Sequence, residues 1–246
     1  MNLLKIITDP YDRKARLWPA LLLVFPVVIT IITLLSEKLG LLQQFLAIII
    51  GCGGAFLCTQ FARDSGKRKE SKLFKKWGGM PSVAILRHSD NQLNPITKLN
   101  YHKRLACMVE NTCAPTSEQE ADNKTEADKI YEAWSNYLRA MTRDTQKYAL
   151  LFHENISYGF RRNIRGLRSY GISVSVICII LCGLAFWHTY EATGEIETTR
   201  LVSVSISAIF LFLWSFVFTD SWVLIPAQAY AERLMESIET IANDTK

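Results

Sequence analysis

The stretch LWPALLLVFPVVITIITLL, Leu17–Leu35, decides the fold class, because it runs for 19 residues without an ionisable side chain. A hydrocarbon core of about 30 Å is crossed by roughly 20 residues of helix. In lipid the backbone must satisfy its own hydrogen bonds, and the stretch lacks the alternation of a barrel strand. It therefore predicts a membrane-spanning helix.

Three more windows have this character, which explains how 49% hydrophobic and 21% charged residues coexist in one chain. They predict an all-α membrane protein with four transmembrane helices as two hairpins and a mainly helical cytoplasmic domain inserted between them. The predicted segments are an N-terminal lead (1–16), hairpin 1 (17–61, spans 17–35 and 39–61), the domain (62–170), hairpin 2 (171–225, spans 171–190 and 201–225) and a C-terminal tail (226–246).

The orientation follows from charge, since only Lys38 and Arg200 of the 28 basic residues lie in the short loops within the hairpins. Basic residues near span ends keep those ends cytoplasmic. Both termini and residues 62–170 are therefore predicted inside. The lipid bilayer is the predicted partner of the basic residues beside the second and third spans, since anionic headgroups attract such clusters. These membrane anchors are Arg63, Lys67, Arg68, Lys69, Lys72, Arg161, Arg165 and Arg168.

The run Asn155–Ser175 could also be a nucleic-acid surface, because it interleaves arginines with aromatic rings. However, Phe160 continues an apolar stripe with a four-residue spacing that begins at Tyr148, and Tyr170 lies at the expected edge of a span. We therefore favour a membrane anchor, and nucleic acid is not an expected partner.

Polar and small residues within the spans are few. Gly51 and Ala55 form a small-xxx-small pair, which favours helix packing, either within the chain or in a homo-oligomer. Asp220 is the only acidic residue predicted inside a span, and such carboxylates are often functional. A basic partner would instead give Asp220 a structural role, which we prefer. Ser203 and Ser207 share one helix face and could be polar contacts or a thin water path.

The predicted cytoplasmic domain contains several local signals. Trp77–Ser82 (WGGMPS) predicts a break, Asn94-Pro95 a capped helix to about Glu110, and Ser117 with Glu120 a capping box. A buried helix face is predicted from helical spacing, and a further helix begins near Thr145. The residues of that face are Ile130, Trp134, Tyr137, Leu138 and Met141.

Known catalytic and cofactor motifs are missing: we find no Walker loop, GxGxxG, HExxH or paired CxxC pattern, so no cofactor, metal or catalytic residue is predicted. A phosphate-bearing ligand could bind basic and aromatic side chains that occur in pairs. These candidate ligand-binding residues are Arg87, His88, Tyr101, His102, Arg161 and Arg162. A less favoured alternative is a metal or acid–base site at His88, His102 and His153 with nearby acids.

Three stretches carry a resemblance to a family: RDSGKRKESKLFKKWGGMPSVAILRHSD, KLNYHKRL and FHENISYGFRRNIRGLR. They resemble a family of bacterial four-span membrane proteins, and the likeness covers roughly Phe61 to Arg168. The resemblance implies the bacterial inner membrane and no catalytic residues. The layout is also similar to that of membrane effectors and sensors of anti-phage systems.

We therefore expect a non-enzymatic, oligomeric inner-membrane protein whose cytoplasmic domain senses a ligand or partner and opens a pore or perturbs the bilayer. One alternative is a membrane-anchoring scaffold for a soluble cytoplasmic partner. Another is a membrane-bound enzyme acting on phosphate or lipid substrates through His88 and His102.

Overall fold

The computed structural model describes residues 8–35 and 40–244, except for the side chains of 41–47, 50–52, 55 and 244. This part of the chain is helical and contains no strand, so the predicted all-α class is confirmed there. The helices are α1 (Asp12–Leu35), α2 (Leu41–Lys76), α3 (Pro81–Ala84), α4 (Pro95–Met108), α5 (Ser117–Asp122), α6 (Lys124–Met141), α7 (Ala149–Thr193), α8 (Thr198–Val217) and α9 (Asp220–Asp244).

Within the described residues, three helices are long and apolar enough to cross a membrane, namely α1, α7 and α8. Many side chains of the remaining predicted span, 39–61, are not described, although its backbone is helical from Leu41. The surroundings of Gly51 and Ala55, the predicted packing pair, are likewise outside the described residues.

The chain forms two compact units. The first comprises the described residues up to Glu70 together with Gly159–Val223, and the second comprises Ser71–Tyr158 with the described residues from Leu224 onward. Helices α2, α7 and α9 contribute residues to both units.

The first unit has its polarity inverted relative to a soluble protein. Large apolar side chains are exposed on α7 and α8, for example Leu184 (64%) and Ile209 (58%). On the same helices Ser175, Cys182 and Ser203 are fully buried. In water such an arrangement would leave apolar surface exposed, which the hydrophobic effect opposes. In lipid, by contrast, apolar side chains face the solvent and small polar ones lie between helices.

Helices α2 and α7 approach each other at two glycines. A Cβ added to Gly166 would lie 2.5 Å from the carbonyl carbon of Ser65, and one added to Gly66 would lie 2.9 Å from the Cα of Asn163. A third glycine of α7, Gly171, faces the indole of Trp214 on α8. The backbone-to-backbone contacts at Gly66 and Gly166 require residues without side chains.

Gly166→Ala is expected to destabilise the protein by about 1–3 kcal/mol, because the new methyl overpacks a backbone contact. Gly183→Ala on the same helix is the matched control, since a Cβ there meets nothing within 4 Å. Thermal unfolding of the purified chain in detergent measures both. Equal melting temperatures for the two variants would contradict the close contact.

The second unit has a conventional apolar core. Tyr131, Trp134 and Leu138 of α6 are fully buried and pack in one cluster with Ile85 and Leu105. The cluster also includes residues of α9, which the sequence assigned to a tail: Leu234, Met235, Ile238 and Ile241. The predicted α6 face is correct at Trp134 and Leu138. It is wrong at Met141, which is 46% exposed, because the helix ends there.

The helix boundaries follow local rules with two differences. The WGG break occurs at Gly78 and Gly79, which have φ of 76° and 145°, and Asn94 caps α4 as predicted. The capping box of α5 is formed by Thr116 and Gln119, one residue before the predicted Ser117 and Glu120. The predicted span 201–225 is interrupted, since α8 ends at Val217.

Candidate functional site

The arginine stripe of α7, defined as Arg161, Arg165 and Arg168, is extensively hydrogen-bonded within the first unit. The three side chains follow one another at helical spacing and are half-buried. Each binds a polar group at the end of α8 or the beginning of α9. The bonding partners of the stripe therefore define the candidate site.

The end of α8 leaves two backbone carbonyls without their helical partners. In an α-helix the carbonyls of Trp214 and Ser215 would accept from the amides four residues later. Leu213–Val217 is instead a π-helical turn, in which Phe218 N–H donates to Leu213 O five residues earlier (3.1 Å), and Thr219 N–H donates to Val217 O (2.8 Å). Arg168 donates to both freed carbonyls, from Nε to Trp214 O (2.9 Å) and from Nη2 to Ser215 O (2.7 Å).

A third carbonyl lacks its helical donor because of a proline. Pro226 lies inside α9 and has no N–H, so the Trp222 carbonyl four residues earlier receives no helical bond from it. Arg161 Nη1 donates to that carbonyl at 2.9 Å. The Arg161 guanidinium also lies 4.9 Å from the centre of the Trp222 ring, a distance at which cation–π attraction acts.

The middle arginine of the stripe neutralises Asp220. The Arg165 Nε–Asp220 Oδ1 distance is 2.6 Å, and the two side chains are 11% and 17% exposed. Asp220 begins α9, because Thr219 Oγ1 accepts from Trp222 N–H and starts a new helix. The carboxylate therefore has the basic partner that a structural role requires.

These bonds bear on two predicted roles of the basic residues, namely ligand binding and membrane anchoring. Arg162, a candidate ligand residue, is only 4% exposed, and its Nη1 lies 3.0 Å from Glu70 Oε1. Arg161, Arg165 and Arg168, which were predicted to anchor the protein to headgroups, donate to the protein itself. The remaining anchors lie on α2, where Arg63, Lys67, Arg68 and Lys72 are exposed and Lys69 is half-buried.

Arg168→Met keeps a long apolar stem but removes both donors from the carbonyls of Trp214 and Ser215. Buried acceptors left without partners cost about 1–3 kcal/mol, so the variant should unfold at a lower temperature in detergent. Arg63→Met, at an exposed arginine 3.9 Å from Asp64, is the matched control and should change little. If both variants melt like the wild type, the carbonyls have other donors.

In the second unit the predicted ligand residues are held by a buried polar network. Arg87 pairs with Asp128 through two bonds of 2.8 Å and also donates to Gly78 O. The Glu120 carboxylate accepts four bonds, from the amides of His88 and Ser89, the Ser89 hydroxyl and the Tyr131 hydroxyl. These bonds fix the loop that follows α3.

Two of the three predicted histidines, His88 and His102, donate hydrogen bonds to backbone carbonyls, whereas His153 is exposed on α7. His102 Nε2 lies 2.7 Å from Leu86 O and His88 Nε2 lies 2.9 Å from Pro115 O, so each ring carries its proton on Nε2. The two rings meet edge to face. Tyr101, which precedes His102 in the sequence, is also buried and is 6% exposed. Desolvation lowers the pKa of His102, which keeps its ring neutral.

A pocket of about 260 Å³ lies beside this network. Of the six predicted ligand residues, only His88 lines it, together with Asp90, Asn91 and Lys98. Lys98 donates to the carbonyls of Arg87 and Asp90, and desolvation lowers its pKa. A small polar ligand could contact His88 and Lys98 there, whereas the described residues contain no cluster of three or more His, Cys, Asp or Glu that could hold a metal.

The stability of the second unit should depend on the ionised Glu120. Burial alone would raise its pKa, but the four donated bonds outweigh burial, so the pKa lies below the usual value. A carboxylate whose pKa is lower in the folded state contributes stability that is complete above its unfolded pKa. This contribution is lost as the pH falls through the folded pKa.

Glu120→Gln should therefore destabilise the chain by about 1–3 kcal/mol at pH 7, because an amide cannot accept all four bonds. It should also weaken the loss of stability on acidification below about pH 4.5, near the unfolded pKa of Glu. Denaturant unfolding at several pH values measures both effects. Glu126→Gln is the control, because Glu126 is 61% exposed. The same pH profile for Glu120→Gln and wild type would contradict this role.

The chain matches no known family profile, no curated protein and no solved structure. The resemblance to a bacterial four-span family stays a prediction.

Several residues of these sites were not found from the sequence. Asp128, Lys98 and the role of Glu120 gave no local signal, because their partners are distant in the chain. The break after α8 did have signals, since Thr219 and Asp220 resemble a helix start and Pro226 follows them. These signals lay within an apolar window, and its apolar composition instead favoured the prediction of a continuous span.

Proposed function

We propose that the protein is a bacterial inner-membrane protein with four spans, in which a cytoplasmic helical domain senses a ligand or partner and acts on the membrane bundle. The observation that carries the proposal is the length of α7, together with its membership of both units. Its 45 residues extend about 68 Å, more than twice a hydrocarbon core of about 30 Å. It contributes to a unit with a conventional core and to a unit with inverted polarity.

The proposed fourth span is 39–61, which includes the first part of α2 from Leu41. The 36 residues of α2 extend about 54 Å, so the helix is also longer than the membrane is thick. Its later part carries the exposed residues Arg63, Lys67, Arg68 and Lys72, which suit an anionic cytoplasmic leaflet. The charge distribution of the sequence supports cytoplasmic termini and a cytoplasmic second unit.

An action on the membrane is supported by the contacts at the end of α8. A helix break whose carbonyls are bonded by side chains of another helix can exchange those donors for others. A displacement of α7 would change the positions of Arg161, Arg165 and Arg168 together, and with them their bonds to α8 and α9. Transitions between two packed arrangements of this kind underlie many switches.

The trigger is proposed to bind the second unit, where the pocket beside His88 and Lys98 offers a polar site. The active form is proposed to be a homo-oligomer that opens a pore or perturbs the bilayer in anti-phage defence.

The topology is tested with the native thiols Cys107 and Cys113, which are exposed in the second unit. In a chain whose other four cysteines are replaced by alanine, a membrane-impermeant maleimide should label them in inverted vesicles but not in intact spheroplasts. A thiol introduced by Glu195→Cys, in the predicted outer loop, should behave in the opposite way. Labelling of Cys107 in intact spheroplasts would overturn the orientation.

The action is tested by membrane potential in cells expressing the full chain during phage infection. We expect depolarisation with the wild type, a weaker response with Glu120→Gln, and a normal response with the control Glu126→Gln. An unchanged potential through infection would reject the pore. Stable co-purification of a soluble protein would then favour the scaffold function.

A further inference from the structure

A polar seam runs between three helices of the first unit. We define it as Thr30 on α1, Ser175, Cys178 and Cys182 on α7, and Ser203 and Ser207 on α8. All six side chains are at most 3% exposed. The Cys182 thiol lies 3.2 Å from the Ser203 hydroxyl and 3.7 Å from that of Thr30, so it joins all three helices.

Two hydroxyls of the seam lack a partner among the residues that the structure describes. Ser175 Oγ and Ser207 Oγ are buried and make no hydrogen bond. Ser207 lies one turn beyond Ser203 on α8, and Ser175 lies one and two turns before Cys178 and Cys182 on α7. Both hydroxyls therefore belong to the helix faces that carry the seam.

A nearby serine shows that such hydroxyls can be satisfied by the helix. Ser205 Oγ donates to Leu201 O at 2.9 Å and is exposed on the opposite side of α8, where lipid would lie. Serines in apolar surroundings commonly bond to the preceding turn in this way. Ser175 and Ser207 do not, although an unpaired hydroxyl is costly away from water. A small molecule that both donates and accepts hydrogen bonds would satisfy them, and water has these properties.

The ends of the seam indicate which solutes suit it. None of its six side chains carries a charge at neutral pH. Arg200, one turn before Ser203, is 8% exposed, donates to Ala185 O at 2.5 Å and pairs with Glu197. Because the Arg200–Glu197 pair carries no net charge, this end of the seam provides no unpaired charge to attract an ion. Water and small uncharged polar solutes are therefore the species that the seam fits.

We propose that the polar seam is hydrated, with water bound at Ser175 and Ser207, and that it is the path by which water and small uncharged polar solutes enter the membrane bundle. The proposal rests on the proposed function only in that the first unit lies in a membrane. It requires neither the trigger nor the pore.

The test uses water as its own probe, in vesicles containing the full-length protein. On transfer to D₂O, a thiol in contact with water exchanges S–H for S–D, and infrared spectroscopy follows the loss of the S–H stretching band. All six cysteines are first replaced by alanine, and one thiol is then introduced by Ser207→Cys or by Ser205→Cys. The two positions are at similar depth, but one is in the seam and the other faces lipid.

We expect the Ser207→Cys thiol to exchange about tenfold faster than the Ser205→Cys thiol, because water is scarce in hydrocarbon but is bound by buried polar groups that lack other partners. A chain that keeps only the native Cys182 gives the same measurement without a substitution at a seam serine. In that chain Ser207→Leu should slow exchange of Cys182, and Ser205→Leu should not. Equal exchange rates of the seam and lipid-facing thiols would overturn the proposal.

Osmotic swelling of the same vesicles tests the path itself. Water permeability above that of protein-free vesicles, reduced by Ser207→Leu but not by Ser205→Leu, is expected. Permeability insensitive to Ser207→Leu would reject the seam as the path. A hydrated seam in a protein that leaves the membrane potential unchanged during infection would support this inference while rejecting the pore. Labelling that places the first unit outside the membrane would reject both.

Discussion

The first unit depends on the donation of guanidinium protons to backbone carbonyls that have lost their helical partners. Three carbonyls are affected, those of Trp214 and Ser215 by the break and that of Trp222 by Pro226. Arg168 and Arg161 supply the missing donors, and Arg165 balances the charge of Asp220 between them. Since a buried acceptor left without a partner costs free energy, the stripe stabilises this geometry of α8 and α9. The close contacts at Gly166 and Gly171 hold α7 where its arginines reach.

The sequence predicts well what depends on local composition. Charge-free windows identified α1, α7 and α8, and Asn94-Pro95 identified the start of α4. It predicts poorly what depends on distant partners. The arginines before Tyr170 have the composition of a headgroup anchor, and nothing in the run Asn155–Ser175 reveals that their acceptors lie some fifty residues later. Similarly, Glu120 reads as half of a capping box, although its carboxylate is buried beneath the loop after α3.

The two units use buried polar groups in different ways. In the second unit Arg87, Glu120 and Asp128 are bonded on nearly every side, which fixes one loop conformation around an otherwise apolar core. In the first unit the seam hydroxyls of Ser175 and Ser207 are buried but unbonded among the described residues. A fully bonded network favours a single conformation, whereas an incompletely bonded one favours a solvent molecule or a second arrangement. This contrast is consistent with the proposed roles of the second unit as a rigid receiving domain and of the first unit as an adaptable membrane bundle.

The pairing of Arg161 with the Trp222 carbonyl has an evolutionary consequence. The carbonyl needs an external donor only because residue 226 is proline, and a residue with an N–H at that position would restore the helical bond. Arginine at 161 and proline at 226 should therefore be gained and lost together in the descendants of a common ancestor. Once proline is fixed, arginine at 161 becomes hard to replace, so this contact with a backbone carbonyl would by itself make the side chain look invariant.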